Sequence, residues 1–360
     1  MSWSETVDEV EFLQELVSIP SVSGDEDRMA EHLCGRLSVL GYDVHRDAAG
    51  NVVGEIGDPR AEQHIVLLGH IDTVPGLLPV RREGGYLYGR GTVDAKGALA
   101  AFALSGARVA ARWRTARLTV IGAVGEEAGS AGAHYLAETM LRPSFAIIGE
   151  PSSWQGITVG YKGMLSVVFK MKQPSGHGAS GRAVPAEAAV AFWSRLTEHS
   201  RVFSSGRRWR FDSLDATLRA VNTWSDGLEQ GVEMDIGLRI PLGLDVQGLQ
   251  RQIREWCGSA ELTFPYGEPA YEAQKNTRLV RALLRSIRAE GGRPTFKLKS
   301  GTSDMNVVGP VWGCPIVAYG PGDSGLDHTP HERIEIGEFL RAVSVLARAL
   351  DILAGQASTA

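Results

Sequence analysis

Four apolar runs of strand length, residues 65–68, 118–124, 145–148 and 316–319, are each followed directly by a glycine. Just past those glycines stand His70, Glu126 and Glu150 and, beyond Gly320-Pro321-Gly322, His328. Runs this short and this uniformly apolar fit strands covered on both faces, as in a sheet packed between helices. Stretches with helical spacing alternate with them: residues 5–18, then a stretch to about residue 40 that Ser23-Gly24-Asp25-Glu26 opens in the form of a capping box, and residues 95–113. This alternation of strand and helix makes the fold class α/β.

Near Gly160 the texture changes. A strand-like run at 164–171 and a helical stretch at 185–199 precede a clean alternation of Val232, Met234, Ile236, Leu238 and Ile240 with mostly polar neighbours, the pattern of a sheet with one face exposed. After Gly267 the first texture returns, with a helix at 276–290, the strand at 316–319 and a final helix at 336–353. The expected organisation is one α/β domain (residues 1–159 and 269–360) interrupted by an inserted α+β domain (160–268).

At 360 residues, 43% hydrophobic and 22% charged, the chain has ordinary globular composition and room for two domains. A net charge of -5 argues against nucleic acid as a general partner. The beginning lacks the basic and apolar character of a signal peptide, and no apolar stretch reaches membrane-spanning length, so the expected location is cytoplasmic, with no membrane partner. Cys34, Cys257 and Cys314 are scattered and odd in number, with no C-x-x-C spacing, and are expected to be buried small apolar residues rather than ligands or disulfides.

In an open α/β sheet, functional side chains gather beyond the carboxyl ends of the strands. His70 and Asp72 follow one run, Glu126 and Glu127 a second, Glu150 a third and His328 a fourth, while Asp94 stands between the turn Gly89-Arg90-Gly91 and a helix. Each has an ordinary structural reading when taken alone; Asp94, for example, would serve as a helix cap. Their joint placement at one sheet edge has no such explanation. Carboxylates and imidazoles together suit a pair of divalent cations of the zinc type, with one carboxylate bridging them. Other chemistries lack their motifs, since no G-x-S-x-G elbow, dinucleotide fingerprint or phosphate-binding G-x-x-x-x-G-K-[ST] occurs.

The stretches Gly69-His70-Ile71-Asp72-Thr73-Val74-Pro75, Gly89-Arg90-Gly91-Thr92-Val93-Asp94-Ala95-Lys96-Gly97, Gly125-Glu126-Glu127, Gly149-Glu150-Pro151 and Asp327-His328-Thr329-Pro330 resemble, in this order, the signature of the M20 metallopeptidase family. The resemblance spans nearly the whole chain. It falls in the branch of acetylornithine deacetylase, succinyl-diaminopimelate desuccinylase and carboxypeptidase G2. Within that branch, residues 297–306 and Tyr161-Lys162-Gly163 are similar to hydrolases that release lysine from a carrier protein.

The resemblance implies a zinc-peptidase-like domain with a central mixed sheet and a ferredoxin-like insertion serving as lid and dimer surface. It also implies two divalent metal ions per chain, zinc or cobalt. His70, Asp94 and Glu150 would hold one, and Asp94, Glu127 and His328 the other. Glu126 would be the general acid/base, Asp72 would orient His70, and His177 would reach the partner's site in a homodimer. Arg239, Ser300, Gly301 and Thr302 would contact substrate. The implied reaction frees lysine, or ornithine, from the γ-glutamyl C-terminus of a small acidic amino-group carrier protein in lysine and arginine biosynthesis. A deacetylase, desuccinylase or dipeptidase of the same family is the first rival reading, and a non-catalytic binding module on the same fold is the second.

Overall fold

The computed structural model describes residues 8–110, 113–176 and 184–355. These cluster into two compact units, one built from the described parts of Met1–Gly160, Ala273–Leu298 and Ser303–Ala360, the other from Tyr161–Glu272 with Lys299–Thr302.

In the first unit a mixed sheet runs in the order Asp43–Arg46, Val52–Gly57, Ala116–Ala123, Gln63–His70, Phe145–Ile148, Ile316–Ala318 and Gly156–Tyr161. Its four middle strands are mutually parallel, and antiparallel strands flank them on both sides. The continuous apolar runs reflect this position, because Phe145–Ile148 and all but the first residue of Gln63–His70 are buried. The helix Lys96–Val109 is buried almost all round, which explains its alanine- and glycine-rich sequence: a helix at the centre of the core must let its neighbours approach closely. Leu99 and Phe102 of this helix share one core with Leu67, Ile147 and Val317 of the sheet, Leu283 of the helix Arg278–Ala289, and Phe339, Val343 and Leu346 of the helix Ile336–Leu353.

The second unit has its own core. The strands Asp215–Ser225, Glu229–Ile240 and Gly163–Pro174 pair antiparallel in that order. The alternating residues Val232, Met234, Ile236, Leu238 and Ile240 face the helices Pro185–Ser204 and Val246–Trp256 through Phe192, Leu196, Leu249 and Ile253. Phe169 and Phe192 stack with ring centroids 4.9 Å apart.

Two expectations change. The second helix begins at Asp27, one turn later than the capping-box reading, and Glu26 makes no side-chain cap; Ser23 and Glu26 bond elsewhere, as described below. The strand Asp215–Ser225 lies outside the expected elements: most of it is exposed, and the short alternation Ala216, Leu218, Ala220 is broken by a register shift between Leu218 and Ala220. The three cysteines are free. Among the described residues, no helix is long and apolar enough to cross a membrane.

One buried histidine ties sheet stability to pH. His64 is 6% exposed and its Nε2 lies 2.8 Å from Thr119 Oγ1. Burial, helped by the nearby Arg117 charge, pushes its imidazole from 6.5 down to about 4. Between those values the unfolded chain binds a proton that the folded chain refuses. The stability this histidine contributes is therefore present above pH 6.5 and lost as pH falls toward 4, by at most roughly 3 kcal/mol. Thermal melting of His64→Gln is expected to fall less steeply than wild type across this window, and parallel curves would refute the assignment.

Candidate metal centre

The middle strands of the first sheet bring the polar residues together. Ala116–Ala123, Gln63–His70, Phe145–Ile148 and Ile316–Ala318 are adjacent and parallel, so their carboxyl ends emerge at one edge. His70 is the last residue of its strand, Glu126 and Glu127 form a 3-10 turn just after theirs, and Glu150 follows the third.

Asp72 organises this edge. It is fully buried, and its Oδ1 lies 3.3 Å from His70 Nδ1. The backbone N–H of Glu126 donates to Oδ1 at 3.1 Å and that of Glu127 to Oδ2 at 3.0 Å, while Ser23 Oγ donates to Oδ2 at 2.6 Å. Asp72 therefore orients the imidazole and fixes the backbone of the glutamate pair at the same time. Burial raises its carboxyl, but His70, Ser23 and the Glu127 N–H outweigh this and hold it low. The residues of the expected capping box serve this neighbourhood: Ser23 bonds Asp72, and Glu26 Oε1 accepts from the Gly125 N–H at 3.2 Å.

Asp94 precedes the buried helix Lys96–Val109. Gly97 is required there, since a Cβ would sit 2.4 Å from the Thr92 carbonyl oxygen. The Asp94–Ala95 peptide bond is cis. From the far end of the chain, Glu332 Oε1 accepts the Val93 and Asp94 N–H groups at 3.0 and 3.2 Å, while its Oε2 meets Arg90 Nη1 at 2.7 Å. Lys96 is buried with its ammonium on the Leu16 and Ile19 carbonyls, at 3.1 and 2.6 Å.

The result is two donor sets sharing Asp94. His70, Asp94 and Glu150 place one ligand atom each within 4.8 Å of one another, and so do Asp94, Glu127 and His328. Asp94 Oδ1 lies 3.4 Å from His70 Nε2, and Oδ2 lies 3.0 Å from His328 Nε2, which is also 2.9 Å from Glu127 Oε1. Each carboxylate oxygen thus faces a different set. Glu126 belongs to neither set.

Electrostatics describe the same need for cations. Burial opposes a charge on His70, yet hydrogen bonds to Asp72 and Asp94 hold the ring well above its usual value. Hydrogen bonds to Asp94 and Glu127 raise His328 to about 10. Burial pushes Asp94 upward, and the two histidines reverse this and hold it well below the carboxylate range. Burial raises Glu126 well above its usual value; Glu150, Asp304 and Glu127 add to this and His70 opposes it. Protonated imidazoles offset part of a surplus of carboxylates, and oxygen and imidazole nitrogen donors at these separations fit divalent cations of the zinc type.

The remaining expected residues stand apart from these sets in sequence and unit. His177 lies outside the described residues. Arg239, Ser300, Gly301 and Thr302 belong to the second unit, where Arg239 Nη1 donates to Thr302 Oγ1 at 3.0 Å and that hydroxyl donates to the Lys162 carbonyl at 3.0 Å. Glu332, Arg90, Ser23 and Asp304 are site neighbours that the sequence reading gave no role at the site. Arg90 sits inside the glycine turn and Glu332 two residues past the His328 motif, so opposite charges in and beside two motifs are the available signal.

Comparison with known proteins gives the same picture. Residues 66–352 match the model of peptidase family M20/M25/M40. A LysW-lysine hydrolase of Deinococcus radiodurans is 44% identical, covering 96% of this chain and 97% of that protein. A LysW-lysine/LysW-ornithine hydrolase of Sulfurisphaera tokodaii is 27% identical and covers 95% of each chain. The crystal structure of an M20 family metallo-carboxypeptidase from Sulfolobus solfataricus superposes with a TM-score of 0.81 at 17% identity, covering 97% of this chain and all of that one.

The Arg90–Glu332 pair is buried, with side chains 11% and 1% exposed. Glu332→Ala leaves two backbone N–H groups without their acceptor and the guanidinium without its counter-charge, with only backbone carbonyls as acceptors, and is expected to cost about 3–5 kcal/mol in chemical denaturation. A loss below roughly 1 kcal/mol would show that the pair does not hold the Asp94 turn.

Proposed function

Because the chain belongs to peptidase family M20/M25/M40, we propose that its paired donor sets hold two divalent cations and that it hydrolyses the amide joining lysine to a carrier protein of the LysW kind. The enzyme is a hydrolase of the metallopeptidase type. The observation that carries the substrate is the 44% identity, over nearly the whole of both chains, with a relative that bears that activity in its name. Ornithine is a second substrate on this reading, since the Sulfurisphaera tokodaii relative is named for both. Zinc is the preferred occupant, because carboxylate and imidazole donors in compact sets suit it, and cobalt accepts the same donors.

His70, Asp94 and Glu150 would hold one cation and Asp94, Glu127 and His328 the other. When bound, such a pair supplies Lewis-acid polarisation of the amide carbonyl and a water acidic enough to attack at neutral pH. The chain's own groups do the rest. Glu126, outside both donor sets, accepts the proton of the attacking water on its carboxylate and returns it to the departing amine. Asp72 keeps the His70 Nδ1 side occupied, so that Nε2 is the nitrogen turned toward Asp94. Arg239, steadied by Thr302, would grip a substrate carboxylate, with Ser300 and Gly301 beside it in the chain.

A homodimer and a cytoplasmic location complete the proposal. The strand Asp215–Ser225 is the edge of its sheet, and Val221 and Trp224 on it are 47% and 45% exposed, which supports pairing with a second copy. Replacing both with lysine (Val221→Lys, Trp224→Lys) should convert a dimer to a monomer in light scattering; an unchanged mass would remove the edge from the interface.

The central test compares wild type, Glu126→Gln and Asp94→Ala for metal content and for hydrolysis of carrier-linked lysine, carrier-linked ornithine, N-acetylornithine and a dipeptide. Glu126→Gln is expected to keep its metal and lose about 10²- to 10⁴-fold in kcat. Asp94→Ala is expected to lose metal from both sets. Full activity of Glu126→Gln, or a wild type that prefers the acetylated or dipeptide substrates, would overturn the reading.

A further inference from the structure

The two donor sets rest on different supports. His70 ends a strand in register with Ala123, and Glu150 follows Gly149, whose N–H donates to the Leu68 carbonyl at 2.7 Å. Apart from the shared Asp94, that set stands on the parallel sheet itself. In the other set, the 3.0 Å between Asp94 Oδ2 and His328 Nε2 spans two loops. His328 is half-exposed and adopts the left-handed region, with φ 60°, although it is not glycine. A side chain on such a backbone points where the surrounding structure holds it.

The two loops are joined in a row. The strands Tyr86–Tyr88 and Arg333–Glu335 pair antiparallel, with Tyr88 opposite Arg333, and the Gly89 N–H then donates to the Glu332 carbonyl at 3.4 Å. Beyond the strands, the buried side chains of Arg90 and Glu332 carry the joint on. Glu332 Oε1 accepts the Val93 and Asp94 N–H groups, and its Oε2 meets Arg90 Nη1. The same Nη1 donates to the carbonyl of Thr329, the residue after His328, at 3.4 Å, while Arg90 Nε donates to the Gly76 carbonyl at 3.1 Å. Other bonds shape each loop from within. The Lys96 N–H donates to the Gly91 carbonyl at 3.0 Å, and the Thr329 N–H and hydroxyl donate to the Leu326 carbonyl at 3.2 and 2.8 Å. Those bonds stay inside one loop or the other, whereas the ion pair reaches from residue 94 to residue 329.

We propose that Arg90 and Glu332 are a positioning pair for one of the two cations: by tying the backbone of Asp94 to the backbone beside His328, they set how tightly Asp94, Glu127 and His328 hold their ion. The inference rests on the two-cation reading given above. Asp94 serves both sets, so the pair is selective through the spacing from Asp94 to His328, and the set of His70, Asp94 and Glu150 draws its strength from the sheet.

Arg90→Met/Glu332→Gln tests this without leaving an unpaired buried charge. The amide oxygen of the glutamine still accepts the Val93 and Asp94 N–H groups, so the Asp94 turn is kept while the link to Thr329 is lost. The double variant is placed in two backgrounds that each retain one set. Glu150→Ala keeps Asp94, Glu127 and His328, and His328→Ala keeps His70, Asp94 and Glu150. Zinc affinity of the metal-free proteins is read by competition with a chromophoric chelator. The expected loss is about 10- to 100-fold in the Glu150→Ala background, the size usual for groups that orient a ligand, against less than about threefold in the His328→Ala background. With both sets intact, the double variant should accordingly weaken one zinc ion and not the other. A general loss of stability would lower both alike, so equal losses in the two backgrounds, or none in either, would overturn the proposal. Amide hydrogen exchange on metal-free protein gives a readout independent of metal: the Thr329 and His331 amides should exchange at least about tenfold faster in Arg90→Met/Glu332→Gln, with the Gly149 amide unchanged. Unchanged exchange at residues 329 and 331 would overturn the joint. A wild type that binds fewer than two zinc ions, with this exchange difference intact, would instead refute the two-cation reading while sustaining the joint.

Discussion

The buried carboxylate of Asp72 is the interaction on which the centre depends. An ionised group away from water persists only where hydrogen bonds and opposite charge compensate it. Here the compensation comes from the His70 ring, two backbone N–H groups of the glutamate turn and the Ser23 hydroxyl. The partners lie at residues 23, 70 and 126–127, so the groups that satisfy Asp72 are positioned by doing so. The His70 imidazole and the glutamate turn are thereby referred to one fixed point. The same logic repeats at Glu332, whose carboxylate holds the Asp94 turn while Arg90 compensates it.

These fixed points work because the sheet supplies a common origin. Four parallel strands deliver their ends to one edge, and the buried helix behind them carries Asp94 to the middle of the row. Its shared position follows from geometry, as its two oxygens face opposite ways toward His70 and His328. The family likeness and the fold agree with this placement: the match covers residues 66–352, which contain every donor.

Much of this was legible in the sequence because burial leaves marks. The uniformly apolar strands announced a two-sided sheet, and the helix Ile336–Leu353 was readable to its ends from its periodicity. His70, Glu127 and Glu150 stood out as candidate donors because they stand at the ends of apolar strands beside glycines, whereas Asp94, before a helix, and His328, beyond a loop, carried less of that signal. What escaped had no periodic signal. The helix Asp304–Trp312 is buried along most of its length and contains Pro310, so it shows no polar face. The strand Asp215–Ser225 is exposed along most of its length, and a register shift interrupts its short apolar alternation. Ser23 and Glu26 had the spacing of a helix cap, yet their hydrogen bonds run to residues 72 and 125, contacts made across the chain that local pattern cannot encode.

The donors are widely separated along the chain, from His70 in the first part to His328 near the end. During synthesis the first set can close once Glu150 has left the ribosome, whereas the second lacks its imidazole until His328 has followed. Such long-range closure slows folding, since loop entropy is spent before the contacts form. It also means that, where a cation occupies the second set, its binding and the folding of the segment around His328 would stabilise one another.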